Sequence, residues 1–270
     1  GAMSETPSQT LFPSFPSLRN KVILVTGASS GIGAACARAF AASGCTLIVL
    51  ARRAERLTPL VSSLIDSGAQ AATALVADVR DREAVREAIS TLPAAFASID
   101  VVIHAAGLGR GRDKLFESNP AEWDEVLDTN VKGVLSVTHA VLPHMVSRDQ
   151  GHIVHIGSVA GSQPYVGGAI YCASKAAIRM LNQCLKHDLL GTRIRVSSVD
   201  PGMVETEFSV VRFRGDTARA KSVYAGMTPM TADDVAEAVL FCVSRPAHVN
   251  ISEITMLATD QASATTVHRR

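Results

Sequence analysis

Tyr171 and Lys175 close the stretch Tyr171-Cys172-Ala173-Ser174-Lys175, a four-residue spacing that puts both side chains on one helical face. Free tyrosine titrates near ~10 and lysine near ~10.4, so neither alone is a base at neutral pH. An ammonium ~4 Å from the phenolic oxygen, at an effective dielectric of ~20, attracts it by roughly 4 kcal/mol. That is about three pH units on the tyrosine, enough to let its phenol exchange a proton with a carbonyl or alcohol oxygen. Such a pair can equally be a half-buried tyrosine and a solvated lysine on an amphipathic helix. The stretches before it favour the chemistry.

A glycine-rich turn, Gly27-Ala28-Ser29-Ser30-Gly31-Ile32-Gly33, follows an apolar run (Lys21 to Thr26) and opens an Ala-rich helix that ends at Gly44. Strand, glycine turn and helix N-terminus form a pyrophosphate cradle, which points to a dinucleotide. The next strand (Thr46 to Leu50) runs into Ala51-Arg52-Arg53. An NAD site tends to carry an acid there; two arginines suit a 2′-phosphate, which favours NADP(H). Asp78, after a third strand (Ala72 to Ala77), is placed to accept from an adenine amino group, while Asp81 is the better cap of the following helix. Val101 to Ile103 leads into His104-Ala105-Ala106-Gly107, small enough to pass beneath a cofactor.

A polar loop from Leu108 to Ser118 carries Arg110, Arg112 and Lys114, any of which could meet an acidic substrate or simply be solvated. Pro120 starts a long helix to residue 147, with Asn130 inside it, where a weak helix former suggests a bonding role. Ser158 ends a fifth strand, Gly151 to Gly157, in which His152 and His155 face opposite ways and do not form a metal pair. No metal site is expected. Ile194 to Val199 is a sixth strand running to Pro201-Gly202. Residues 205 to 226 read as a mobile connection over the cleft, Thr231 caps a helix to Val243, and Ile251 to Leu257 supplies the last strand.

The 270 residues, 47% hydrophobic and 19% charged, describe a soluble globular chain. Lys+Arg 26 against Asp+Glu 25 gives no electrostatic pull toward nucleic acid or anionic membrane, and no apolar run is long enough to span one. The five cysteines form no C-x-x-C pair and read as free thiols of a reducing compartment, so a cytoplasmic location is expected. Gly1-Ala2 before Met3 reads as an expression scar. Residues 1–19, rich in Pro and Ser, are expected to be a flexible lead-in, with Leu11, Phe12 and Phe15 able to dock. Residues 20–270 show no repeat or linker and are expected to form one α/β domain, a doubly wound Rossmann-type parallel sheet of about seven strands with helices on both faces.

The glycine turn, Asp78, Ala105-Ala106-Gly107, Asn130, Ser158, Tyr171-x-x-x-Lys175 and Pro201-Gly202, in this order, resemble the short-chain dehydrogenase/reductases. Val211 to Asp216, Pro246 to Ile251 and Val267-His268-Arg269 are similar to the NADP-dependent 3-hydroxy acid dehydrogenases of that superfamily, which act on serine and L-allo-threonine and in many cases on malonic semialdehyde. The resemblance implies Tyr171 as acid/base and Ser158 as the partner of the substrate oxygen. Lys175 would lower the tyrosine pKa and hold ribose hydroxyls, and Asn130 would complete a water-borne proton relay. It implies a cofactor set of Gly27, Ser29, Ser30, Gly31, Ile32, Gly33, Arg52, Arg53, Asp78, Val79, Ala105, Ala106, Gly107, Tyr171, Lys175, Pro201, Gly202, Val204 and Thr206, the last two toward the carboxamide. Ser158, Gln163, Arg212 and Arg214 are the substrate candidates, either arginine for a carboxylate. It also implies a homotetramer, for which helices 120–147 and 169–190 could pair across subunits or simply be buried. Two departures mark this chain: His104-Ala105 replaces Asn-Asn, and Met203 to Glu207 is one residue shorter. The expected reaction is NADP-linked hydride transfer on a small 3-hydroxy acid. The alternatives are a reductase of aldehydes or ketones without a carboxylate, a non-catalytic NADP-binding regulator, and a nucleotide-sugar epimerase, for which little chain is left.

Overall fold

Five consecutive apolar residues make β1 (Val22–Thr26) a strand covered on both sides, and its side chains alternate between two cores. Ile23 and Val25 meet the helices of one face, while Val22 and Leu24 meet those of the other. In this computed structural model, residues 16–29 and 31–270 are described. The proposed docking of Leu11, Phe12 and Phe15 and the role of Ser30 lie outside them. Leu18, within the expected lead-in, is buried in the first core, and Cys45 Sγ donates to its carbonyl.

The chain continues through α1 (Gly31–Ala42), β2 (Thr46–Ala51), α2 (Ala54–Asp66), β3 (Ala71–Val76), α3 (Arg82–Ser90), the single turn α4 (Ala94–Ala97) and β4 (Val101–His104). Then come α5 (Pro120–Leu127), α6 (Gly133–Arg148), β5 (Gly151–Ile156), α7 (Ala169–Asp188) and β6 (Ile194–Pro201). The last elements are β7 (Val204–Glu205), α8 (Phe208–Arg212), α9 (Thr217–Ser222), β8 (Met230–Thr231), α10 (Ala232–Val243) and β9 (Glu253–Met256). Seven strands form one parallel sheet in the order β3-β2-β1-β4-β5-β6-β9. One face is packed by α1, α2 and α10, the other by α3, α6 and α7. The strand order reverses between β1 and β4, and the crevice at the carboxyl ends there is where such sheets hold ligands.

Local signals were realised as capping geometry. Asp81 caps α3 by accepting from Ala84 N, and Thr231 with Asp234 closes a reciprocal capping box on α10. The predicted helix 120–147 is α5 and α6 joined by a π-turn, Asp128–Lys132, with Asn130 buried at its middle. Such an inserted residue re-aims a side chain, and π-turns recur at functional sites.

The connection predicted over residues 205 to 226 contains α8 and α9 and is bracketed by the short parallel pair β7–β8. Helices of five and six residues bury too little of their own surface to show a period, so the sequence reads them as loop. Residues beyond β9 fold back onto this lid: Arg270 N donates to Gly226 O, and Arg269 donates to Ala225 O and Val223 O. Among the described residues no helix is long and apolar enough to cross a membrane.

Candidate active site

The crevice begins where β1 meets the glycine turn. Gly27 has φ +60°, and a Cβ there would stand 2.7 Å from the Ala106 backbone, so only glycine lets the two strand ends pass this closely. A Cβ on Gly33 would stand 2.1 Å from Gly27 O, which holds α1 tight beneath the turn. Thr26 Oγ1 accepts from Ala105 N and Ala106 N, fixing the floor.

One half of the crevice is lined by Gly27, Ser29, Gly31, Ile32, Arg52, Arg53, Asp78, Val79, Ala105 to Gly107 and Thr206, twelve of the positions expected to hold a dinucleotide, together with Ala51. Arg53 Nη2 donates to Ser29 Oγ at 3.3 Å, and Arg52 lies 4.0 Å from Asp78. Two forked cations at the end of β2, beside a buried alanine in place of an acid, fit a dinucleotide bearing a 2′-phosphate. Asp78 is engaged by Arg80, which grips both carboxylate oxygens. Burial acts to raise its pKa, but the hydrogen bonds and charge of Arg80 outweigh it and hold the carboxyl below its usual value. The acid expected to face adenine is thus already anchored by a neighbour.

The other half is lined by Ser158, Tyr171, Lys175, Pro201, Gly202, Val204, Thr206 and Arg212, with Ile32, Ala105, Gly107, Thr206 and Phe208 shared between the halves. Ser158, half-buried at the end of β5, accepts from Ala160 N. Lys175 is buried, donates to Ile156 O at 3.0 Å and lies 5.9 Å from the Tyr171 ring centre. Asn130 accepts from Leu108 N at 2.9 Å and donates to Leu108 O and Ser174 Oγ. A Cβ on Gly107 would come within 3.3 Å of Asn130 Oδ1 and 3.6 Å of Lys175 Nζ, so glycine keeps these three together.

The electrostatics differ from the expectation drawn from spacing alone. Burial pushes the Tyr171 phenol up, Tyr165 adds to this, and the Ser158 hydroxyl and Arg212 charge pull the other way. Burial also lowers Lys175 to about 8, against the opposing charge of Asp200. The depression expected from an ammonium beside the phenolic oxygen is absent because Lys175 sits under the ring and spends a proton on the Ile156 carbonyl.

Two substrate candidates point elsewhere. Gln163 Oε1 accepts from Ala264 N and is no part of the cleft wall. Arg214 is held on the outside by Glu122 at 3.1 Å and Glu125 at 3.3 Å. Arg212 does enter: it is buried, its Nε donates to Gly111 O, and its guanidinium lies 5.2 Å from the Tyr171 ring centre. Phe208, one turn before it on α8, packs on the same ring at 5.4 Å.

Sequence reasoning missed Tyr165, Asp200, Phe208, Tyr224 and Gln261. Tyr165, Phe208, Tyr224 and Gln261 line the cleft. Asp200 stands behind Gly157 and acts on Lys175 through its charge. Residue type and spacing carried no signal for any of them. Among the described residues no cluster of His, Cys, Asp or Glu is arranged to hold a metal ion.

A parallel seven-stranded sheet, a glycine cradle and a Ser/Tyr/Lys cluster at its carboxyl end define a class of hydroxyl-directed dehydrogenases. The sequence profile described as short chain dehydrogenase matches residues 21–216, and the chain belongs to that family. It is 44% identical over 250 residues to the NADP-dependent 3-hydroxy acid dehydrogenase YdfG of Salmonella typhi, covering 92% of this chain and 99% of that one. Sulfoacetaldehyde reductase 2 of Chromohalobacter salexigens is 44% identical over 242 residues, 89% of this chain and 95% of that one. The closed form of a serine dehydrogenase complexed with NADP+ superposes with a TM-score of 0.87 at 42% identity, covering 92% and 99% of the two chains.

Proposed function

We propose that this protein is an NADP(H)-dependent dehydrogenase/reductase that interconverts a small 3-hydroxy acid and its carbonyl form. Gly27 to Gly33 and Arg52 with Arg53 hold the dinucleotide, which when bound supplies the hydride acceptor or donor. Tyr171 takes the substrate hydroxyl proton in oxidation and returns it in reduction, while Ser158 positions the oxygen. Burial keeps the phenol protonated, the form that serves carbonyl reduction. Lys175, fixed by Ile156, has further N–H donors that would hold the ribose hydroxyls of a bound dinucleotide.

Arg212 carries the choice of an acidic substrate over a neutral aldehyde or ketone. A buried guanidinium against the Tyr171 ring, with no carboxylate in ion-pair range among the described residues, is a charge in need of an anion. The names of the relatives, a hydroxy acid in one case and a sulfonated aldehyde in another, support an acid group at this end.

Two variants test the reading. Tyr171→Phe should lower kcat by about 10²–10⁴ while NADPH still quenches protein fluorescence, since it removes proton transfer alone. Arg212→Leu should raise KM for 3-hydroxypropionate and serine by roughly tenfold or more and leave a neutral ketone unaffected. Equal loss on acid and neutral substrates would remove Arg212 from recognition.

A further inference from the structure

We propose that Arg112 is a second substrate cation which, together with Arg212, selects acids carrying two negative charges. This rests on the reading of Arg212 as the anchor of an acid group. Five arginines surround the lid and the loop after β4, and they divide into two sets. Arg110 is neutralised by Glu125 at 2.7 Å and Arg214 by Glu122 and Glu125, and none of these four lines the substrate half of the crevice. Arg112 and Arg212 line the substrate half of the crevice, and among the described residues neither has an acidic partner. Their guanidinium carbons lie 5.4 and 5.5 Å from the centre of one ring, Tyr165, so this tyrosine is the shared shelf of both cations. A third, Arg219, stacks on Phe213 at 4.2 Å and adds to the same positive field.

The placement is built into the backbone. Gly111 N donates to Arg212 O and Arg212 Nε donates to Gly111 O, both at 2.8 Å, which ties the loop to α8. On the other side Gly167, at φ +79°, lets the chain run so close that a Cβ would stand 2.0 Å from the Arg112 carbonyl oxygen. Arg112 is therefore held beside Arg212, although the two charges repel. Burial first, and then the charge of Arg212, lower the Arg112 pKa.

A singly charged acid compensates one guanidinium and leaves the other facing it. A doubly charged one satisfies both. The extra charge can sit on the same head, as in a phosphonate, or on a second carboxylate that reaches the exposed Arg112 at the mouth.

Steady-state kinetics with NADP+ in mildly alkaline buffer test this, using 2-hydroxyethylphosphonate, 3-hydroxyglutarate, 3-hydroxypropionate and a neutral alcohol. In the native protein one dianion should exceed 3-hydroxypropionate in kcat/KM, and which one does so identifies the source of the second charge. Arg112→Ala should cost the preferred dianion about tenfold, through KM with kcat retained, and the monoanion less than about twofold. Arg112→Lys should recover part of the loss. The proposal is overturned if Arg112→Ala moves mono- and dianions alike, or neither, or if no dianion is preferred. If no acid outruns the neutral alcohol, the hydroxy-acid reading itself fails and this one with it.

Discussion

Lowering the pH from 7.5 to 5 should remove a large part of this protein's stability, through three histidines inside the sheet. His104 and His155 are register partners on β4 and β5, stacked with ring centres 5.3 Å apart, and His152 lies three residues earlier on β5, on the opposite face. His104 meets Thr138, His155 meets Asn182, and His152 meets Ser197, while His152 Nδ1 and His155 Nε2 have no partner. Burial lowers all three pKa values, His152 to about 3 and His155 to about 4, with His104 moved in the same direction. In the unfolded chain each titrates near ~6.5. A folded value below the unfolded one means that the full contribution is present above ~6.5 and is lost as pH falls toward the folded values. At pH 5 the unfolded chain gains about 2 kcal/mol per histidine from protonation that the folded chain forgoes. His152 and His155 together then cost about 4 kcal/mol, and His104 adds to it, against a typical total of ~5–15 kcal/mol. Asp200, raised by burial, acts in the opposite sense and offsets part of this. Urea unfolding at fixed pH measures the effect, and His155→Gln should flatten the pH slope by about one proton. A native protein equally stable at pH 7.5 and 5, or an unchanged slope in the variant, would refute the reasoning.

Two further outcomes follow from the crevice. Ala51→Asp puts a carboxylate beside Arg52 and Arg53, so NADPH should bind about tenfold or more weakly and NADH more tightly; an unchanged ratio would clear the end of β2 of any role in cofactor choice. Gly27→Ala drives a Cβ into the Ala106 backbone at positive φ, which should cost roughly 1–3 kcal/mol and abolish dinucleotide binding. Native Tm and affinity in that variant would show that the strand ends can move apart.

Features whose physics is local were legible in the amino-acid order. Short apolar runs made the buried strands β1 and β2, Asp81 and Thr231 capped the helices they precede, and Pro120 opened the long helix. The four-residue step from Tyr171 to Lys175 and the strand–glycine–helix order likewise held at close range, because turn geometry and helical pitch depend on neighbours in the chain. Tertiary structure alone decided between Arg212 and Arg214. They are two residues apart and of one type, yet one is buried against Tyr171 and the other is taken by glutamates on α5. The same holds for Gln163, turned to Ala264, and for Lys175, bonded to a carbonyl from β5. Arg112 acquired its place only when Gly111 and Gly167 brought distant loops together. A charge's role is set by which opposite charge it lacks, and that is a property of neighbours in space, which residue type and spacing do not encode.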